Sequence, residues 1–109
     1  MKIYDCFMFS DEKMLLDVRL NSLNRFVDKF IITEASYFHN GQPKKLNFNI
    51  NEFSEFKKKI EYIVVSEQPS DLYLFNDKDS SVERDRKKIF NSIRRDNFQR
   101  DQLMNGLKV

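Results

Sequence analysis

The residues best suited to bind a ligand follow three short apolar runs of the chain. They are Phe9, Ser10 and Asp11 after the first run, Glu34 after the second, and Ser66 with Glu67 after the third. Carboxylates, hydroxyls and backbone groups in such positions can hydrogen-bond to a ribose diol or to a base N–H. A ligand site at the ends of these runs is therefore one interpretation. From spacing alone, a plain solvent-facing residue at the end of a strand explains Glu34 equally well.

Other ligand-binding patterns are weak. The chain has neither a Gly-x-Gly-x-x-Gly loop nor a Walker-type Gly-Lys loop, which argues against ordinary dinucleotide binding and P-loop chemistry. A single cysteine, Cys6, excludes an internal disulfide framework, and His39 has no second histidine to share a metal with. The run Asp77-Lys78-Asp79 has the letters of a metal motif, but it lies in a polar stretch and not after an apolar strand. We do not expect it to bind a metal.

Arg100 interrupts an otherwise apolar stripe of the last segment, in which residues recur every three or four positions. A buried guanidinium must be paired, since an unpaired one costs several kcal/mol. We expect Arg100 in a buried ion pair. An exposed pair with Asp96, one turn earlier, and a contact to a nucleotide diphosphate are the alternatives.

The elements that must position these residues alternate along the chain. Apolar runs predict strands over 2–9, 29–35 and 60–65, and periodic segments predict helices over 12–26, 52–59 and 82–107. Ser10 or Asp11 is expected to cap the first helix, and Asn51 the second. The remaining stretch, 66–81, is a long polar loop. This order is typical of an α/β fold with an open parallel sheet and flanking helices, in which ligands bind beyond the carboxyl ends of the strands.

Length, composition and charge limit the classes of protein to which this chain can belong. The 109 residues predict a single domain, and no apolar run approaches the roughly 20 residues of a membrane helix. The opening residues do not have the pattern of a signal peptide, so cytoplasmic localisation is expected. Residues 82–109 carry eight Lys and Arg against four Asp and Glu, which favours a solvated basic helix face. Nucleic acid binding is the weakest option, because only Phe90 and Phe98 are interleaved with these charges.

Several sequence blocks resemble glycosyltransferase family 17. They are Tyr4-Asp5-Cys6-Phe7-Met8-Phe9, the Leu15-Leu16-Asp17-Val18-Arg19-Leu20 block, Val27 to Glu34, Gly41-Gln42-Pro43-Lys44 and Asn97-Phe98-Gln99-Arg100-Asp101. The chain departs from the family pattern at Asp11, Ser22 and Asp96, where Asn, Glu and Glu are usual. Known members are β-1,4-N-acetylglucosaminyltransferases that act on β-mannose of N-glycans.

The resemblance implies a GT-A, Rossmann-like fold whose amino-terminal nucleotide-sugar-binding portion spans 1–109. It implies a donor similar to UDP-N-acetylglucosamine, a glycan acceptor and a divalent metal, Mn or Mg, in the intact enzyme. The family's acidic metal motif is expected after Leu107, beyond the end of this sequence. We therefore expect this chain alone to bind no metal and to be inactive. The alternative is a non-enzymatic binding or oligomerisation module that self-associates through an exposed sheet edge.

Within the predicted nucleotide site, Glu34 is the residue with the sharpest expectation. It should end a central strand and face the crevice and solvent, so that its replacement weakens nucleotide binding and leaves stability unchanged.

Overall fold

Three parallel strands form one open sheet in the order β1–β2–β3. The strands are β1 (Tyr4–Met8), β2 (Lys29–Ala35) and β3 (Ile60–Val65), and the computed structural model describes residues 1–107. In the register of the sheet, Ile31 lies between Cys6 of β1 and Glu61 of β3. The predicted α/β class with an open parallel sheet is confirmed, and β2 and β3 have the predicted bounds. β1 is shorter than predicted.

One face of the sheet is covered by α1 (Lys13–Leu23) and by a 3₁₀ helix (Ile50–Lys59). Both connections run in the same direction across the sheet, and right-handed crossovers therefore place both helices on the same face. The main core lies beneath them. It contains Leu20 of α1, Phe53 of the 3₁₀ helix, and Phe30 and Ile32 of β2. The predicted apolar stripe of α1 is confirmed, since its leucines face this core.

The ends of these two helices differ from the predictions. α1 ends at Leu23 and not at residue 26, because the chain turns back there and the Leu23 carbonyl accepts hydrogen bonds from the next turn. Neither Ser10 nor Asp11 caps α1 with its side chain; residue Glu12 occupies the cap position. The 3₁₀ helix is capped by Asn49, whose side chain accepts from the Asn51 amide, so the predicted cap was two residues late.

An ion pair explains the acidic residue inside the first strand. Arg19 of α1 donates two hydrogen bonds of 2.7 Å to the Asp5 carboxylate, and its guanidinium lies 4.2 Å from the centre of the Phe7 ring. The paired geometry fixes α1 against the edge strand β1.

The other face of the sheet is covered by α2 (Ser81–Asp101) and the short α3 (Leu103–Gly106). Ser80 caps α2 by accepting from the Glu83 amide at 3.1 Å. The predicted single helix over 82–107 is thus two helices that break at Gln102. Gly106 is needed for close packing, because a Cβ atom there would overlap Cγ2 of Ile31. Lys108 of the basic segment 82–109 lies outside the described residues.

Several apolar side chains of α2 lie on its solvent-exposed side, among charged and polar residues. Phe90, Ile93 and Met104 of the predicted stripe are 44%, 50% and 57% exposed, whereas Asn91 and Gln99 are buried. A buried stripe, which the expected buried pair of Arg100 requires, is therefore not observed. α2 extends past the end of the sheet, and the molecule is elongated, with dimensions of 55 × 27 × 19 Å. No helix within residues 1–107 has the length and apolar character needed to cross a membrane.

Much of the polar loop 66–81 is held against α2. The Asn91 side chain accepts from the Tyr73 amide at 2.7 Å and donates to the Tyr73 carbonyl at 3.0 Å, as a neighbouring strand would. Lys87 pairs with Asp79 at 2.7 Å and also donates to the Leu74 carbonyl. Hydrogen bonds from the buried Asn91 and the partly exposed Lys87 of α2 therefore replace the core that this loop lacks.

Candidate functional site

A cleft of about 480 Å³ lies at the carboxyl ends of β1 and β2, between the sheet and α2. Its size falls in the range of small-molecule sites. Its lining combines aromatic rings with polar side chains, from Phe9, Ser10, Ala35, Tyr37, Phe38, His39, Asn40, Lys44, Ser92 and Gln99. A planar ring can stack on such a surface while polar groups bind its edge. This is the place where open α/β sheets bind ligands.

The side of the cleft formed by α2 includes a buried amide. Gln99 is 5% exposed, and its Nε2 donates to the Thr33 carbonyl of β2 at 3.3 Å. The same carbonyl accepts from the Phe9 amide at 2.8 Å. Gln99 therefore ties α2 to the two strands whose ends form the cleft.

A short hairpin forms the opposite wall. Tyr37 and Pro43 pair across it, and Gly41 at its tip has a φ of 89°, which favours glycine. Arg95 of α2 holds the tip by donating to the His39 carbonyl at 2.8 Å, and its Nε donates to Gln68 at the same distance. A Cβ atom at Gly41 would lie 2.7 Å from the Arg95 guanidinium. The hairpin thus packs directly on the helix.

Glu34 lies beneath this cleft and not in it. Its side chain is fully buried, and each carboxylate oxygen accepts two hydrogen bonds. Oε2 accepts from Lys44 Nζ at 2.6 Å and the Asn47 amide at 2.7 Å. Oε1 accepts from the Phe48 amide at 3.0 Å and the Tyr62 hydroxyl at 2.8 Å. A carboxylate has about four acceptor positions, and all of them are filled by protein groups.

The expectation that Glu34 faces solvent is therefore wrong. Glu34 follows Ile32 by two residues in β2, so both side chains lie on the α1 face of the sheet. There, loop residues 44–48 and Tyr62 enclose the Glu34 carboxylate. A direct contact from Glu34 to a nucleotide stays a prediction. In this structure, Glu34 fixes Lys44, which lines the cleft.

The ionisation of these groups follows from their contacts. Burial raises the pKa of Glu34, but hydrogen bonds from Lys44, Asn47, Phe48 and Tyr62 outweigh it, so the pKa lies below its ordinary value. Burial and the adjacent Glu34 carboxylate raise the pKa of Tyr62. Burial also raises the pKa of Tyr37, against a smaller opposing effect of Arg95. Glu34 is therefore a carboxylate at neutral pH, and both tyrosines are neutral donors.

The other predicted site residues are not all brought together. Phe9 and Ser10 line the cleft, whereas Asp11 is exposed. Ser66 and Glu67 line a separate groove of about 220 Å³, beside Phe98 and Gln102. The Glu67 backbone carbonyl nevertheless accepts from the Tyr37 hydroxyl at 2.8 Å, so this loop supports the wall of the cleft.

Arg100 is not in a buried pair, contrary to expectation. Its side chain is 61% exposed and donates to Asp96 at 3.1 Å, which is the exposed helix pair. Asp96 also lies 3.5 Å from His39 Nε2. A direct contact from Arg100 to a ligand stays a prediction.

Sequence reasoning missed the residues that α2 contributes to the site. Ser92, Arg95 and Gln99 step by three and four, so they form one polar stripe of the helix. That stripe was the available signal. The apolar stripe of the same helix is the stronger pattern and favours the opposite orientation.

Two other features do not make a better site. A larger groove of about 630 Å³ runs beside β1 and α1, but its lining is mainly apolar, with Phe7, Leu15 and Val18. Asp79, the second acid of the Asp77-Lys78-Asp79 run, already accepts hydrogen bonds from Lys87 and from the Asn76 amide. Within residues 1–107, no group of three or more His, Cys, Asp or Glu side chains is arranged to hold a metal ion.

Residues 1–105 match the sequence model of Glycosyltransferase family 17. Neither the search of curated proteins nor the search of solved structures found a match.

Proposed function

The chain belongs to glycosyltransferase family 17, and on that premise we propose that the cleft between the sheet and α2 binds a nucleotide-sugar donor similar to UDP-N-acetylglucosamine. The observation that carries the proposal is the position of the cleft. It lies beyond the carboxyl ends of two parallel strands and has aromatic and polar walls. Phe9 and Ser10, which the sequence predicted as ligand contacts, line it.

The topology supports a Rossmann-like, GT-A assignment, which is part of the same proposal. Two connections lie on one face of the sheet, and α2 then crosses to the other face and contacts β1 and β2. In doubly wound folds, this change of face accompanies a reversal of strand order, and ligands bind at that point.

In the proposed reaction, the sugar leaves its nucleotide diphosphate and is transferred to a glycan hydroxyl. Such a reaction needs a base at the acceptor and positive charge at the diphosphate, which a divalent metal supplies when bound. The described residues present no carboxylate cluster that fits the metal. We therefore propose donor binding, and not turnover, as the function of these residues.

The test is a calorimetric titration of the whole chain with UDP-N-acetylglucosamine and with UDP. Ser92→Leu places a bulky apolar side chain in the cleft, and we expect it to weaken binding at least about tenfold, or 1.4 kcal/mol. Ser54→Leu, at an exposed position of the 3₁₀ helix, is the matched control. Absence of nucleotide binding, or equal affinities for the two variants, would contradict the proposal.

Self-association is a second candidate function. Within residues 1–107, no strand pairs with the outer edge of β1, and the apolar groove beside it exposes Leu15 and Val18. A second copy of the chain could extend the sheet at this edge. Sedimentation velocity of the wild type and of Val18→Lys tests this. A dimer that the substitution dissociates supports it, and a monomeric wild type at high micromolar concentration rejects it.

A further inference from the structure

The buried amide of Gln99 has hydrogen-bonding capacity that the described protein groups do not use. Its nitrogen faces the Thr33 carbonyl, which can only accept, so the orientation of the amide is fixed by chemistry. Among residues 1–107, no protein group donates to Gln99 Oε1, although the residue is 5% exposed and lines the cleft. The second hydrogen of Nε2 has no protein acceptor in the same set of residues.

A neighbouring group adds to this unused capacity. The Thr33 side chain is fully buried, and within residues 1–107 its Oγ1 is the one fully enclosed side-chain polar atom without a partner, whereas Oε1 of Gln99 is not fully enclosed. An enclosed polar atom without a partner is costly unless a bound molecule or water completes its hydrogen bonds. The Gln99 amide is the one of the two groups that reaches the cleft lining.

The free atoms of Gln99 define a complementary ligand. A free acceptor beside a free N–H matches a planar group that offers an N–H next to a carbonyl. The N3–H of uracil, which is flanked by carbonyl oxygens, is such a group. Phe9, Tyr37 and Phe38 supply aromatic surface in the same cleft for the ring itself.

We propose that Gln99 is a specificity-determining residue that recognises the N3–H edge of a uracil base in this cleft. This inference rests on the proposed function, because it requires that the cleft binds the nucleoside part of the donor. In it, Oε1 of Gln99 accepts from the base N3–H, and Nε2 donates to an adjacent base carbonyl while keeping its bond to Thr33. Gln99 thereby selects the base and has no part in sugar transfer.

The test compares UDP with 3-methyl-UDP, in which a methyl group replaces the N3 hydrogen. The wild-type chain is expected to bind UDP about tenfold more tightly than 3-methyl-UDP. This ratio corresponds to a difference of about 1.4 kcal/mol in binding free energy. Gln99→Met keeps the length of the side chain but removes its polar atoms, so the ratio of the two affinities should fall to about one. Gln102→Met, three residues along and outside the cleft, is the matched control and should keep the wild-type ratio.

The outcomes separate this inference from the proposal on which it rests. If UDP binds but the wild type does not distinguish it from 3-methyl-UDP, the inference is wrong and the proposed function stands. The same holds if Gln99→Met keeps the wild-type ratio. If neither compound binds to the wild type, both are wrong. The wild-type comparison needs no variant, so it can overturn the inference even if Gln99→Met fails to fold; Gln99→Glu, which keeps an acceptor oxygen at the same position, is then the variant in which the ratio of the two affinities should change.

Discussion

Replacing Glu34 by glutamine should strongly destabilise the protein. The amide keeps one oxygen, so its NH₂ must face two of the four donors that now surround the carboxylate. Tyr62 can rotate its hydroxyl to accept, but the Phe48 N–H on the same side cannot. In addition, Lys44, whose side chain is 6% exposed, loses the only negative charge that it contacts among the described residues.

The magnitude follows from the burial of this pair. Removing one partner of a buried ion pair costs about 3–5 kcal/mol, because the other charge remains buried. For a domain of this size, each kcal/mol lowers the melting temperature by roughly 4–8 °C. Glu34→Gln should therefore lower the melting temperature by more than about 10 °C, a large fraction of the total stability.

Thermal unfolding followed by circular dichroism measures this effect. Glu55→Gln changes an exposed carboxylate on the 3₁₀ helix and is the matched control, with an expected change within about 0.5 kcal/mol. The double variant Glu34→Gln/Lys44→Met removes both charges. Its loss of unfolding free energy should therefore be smaller than the sum of the losses in the two single variants. A Glu34→Gln protein as stable as the control would refute the buried pair.

The pH dependence gives an independent test. Because the pKa of Glu34 is lowered in the folded protein, the unfolded chain takes up a proton at a higher pH than the folded one. The stability that the Glu34 carboxylate contributes is complete above its pKa in the unfolded chain. It is lost as the pH falls through its lower pKa in the folded protein. The stability difference between wild type and Glu34→Gln should therefore shrink on acidification below the ordinary carboxyl range. A difference that is constant from pH 7 to pH 3 would contradict this.

Three further predictions concern other parts of the molecule. Asn91→Ala should release the loop from α2, since both hydrogen bonds to Tyr73 are lost, and trypsin should cleave at Lys78 faster than in an Asn97→Ala control. Gly106→Ala should lower stability to urea by about 1–3 kcal/mol, because its methyl group overlaps Ile31; a normal urea midpoint would show that α3 packs differently. With Mn²⁺, UDP-N-acetylglucosamine and a mannoside acceptor present, this chain should release no UDP above background, and measurable release would show that it carries a complete reaction centre.

The sequence predicts a site residue when its position follows from neighbouring residues, and it fails when the position depends on distant parts of the chain. Phe9 and Ser10 line the cleft, because they directly follow the first parallel strand and the sequence fixes that position; their contact with a nucleotide stays a prediction. Gln99 was missed as a site residue because nothing local shows that a polar stripe of α2, and not its apolar stripe, would face the strand ends. That outcome depends on where the helix lies after the last strand.

The sequence by itself determined the α/β class, the parallel sheet and the bounds of its second and third strands. Hydrophobic runs and helical periodicity are local patterns, and a chain of alternating strands and helices has few ways to bury the apolar residues that form them. Only the tertiary structure decided that Glu34 is buried. Its position at the end of a strand was correct, but the partners that neutralise it come from loop residues 44–48 and from Tyr62, which are distant in sequence. Burial of a charge depends on such non-local partners, and no pattern around Glu34 itself contains them.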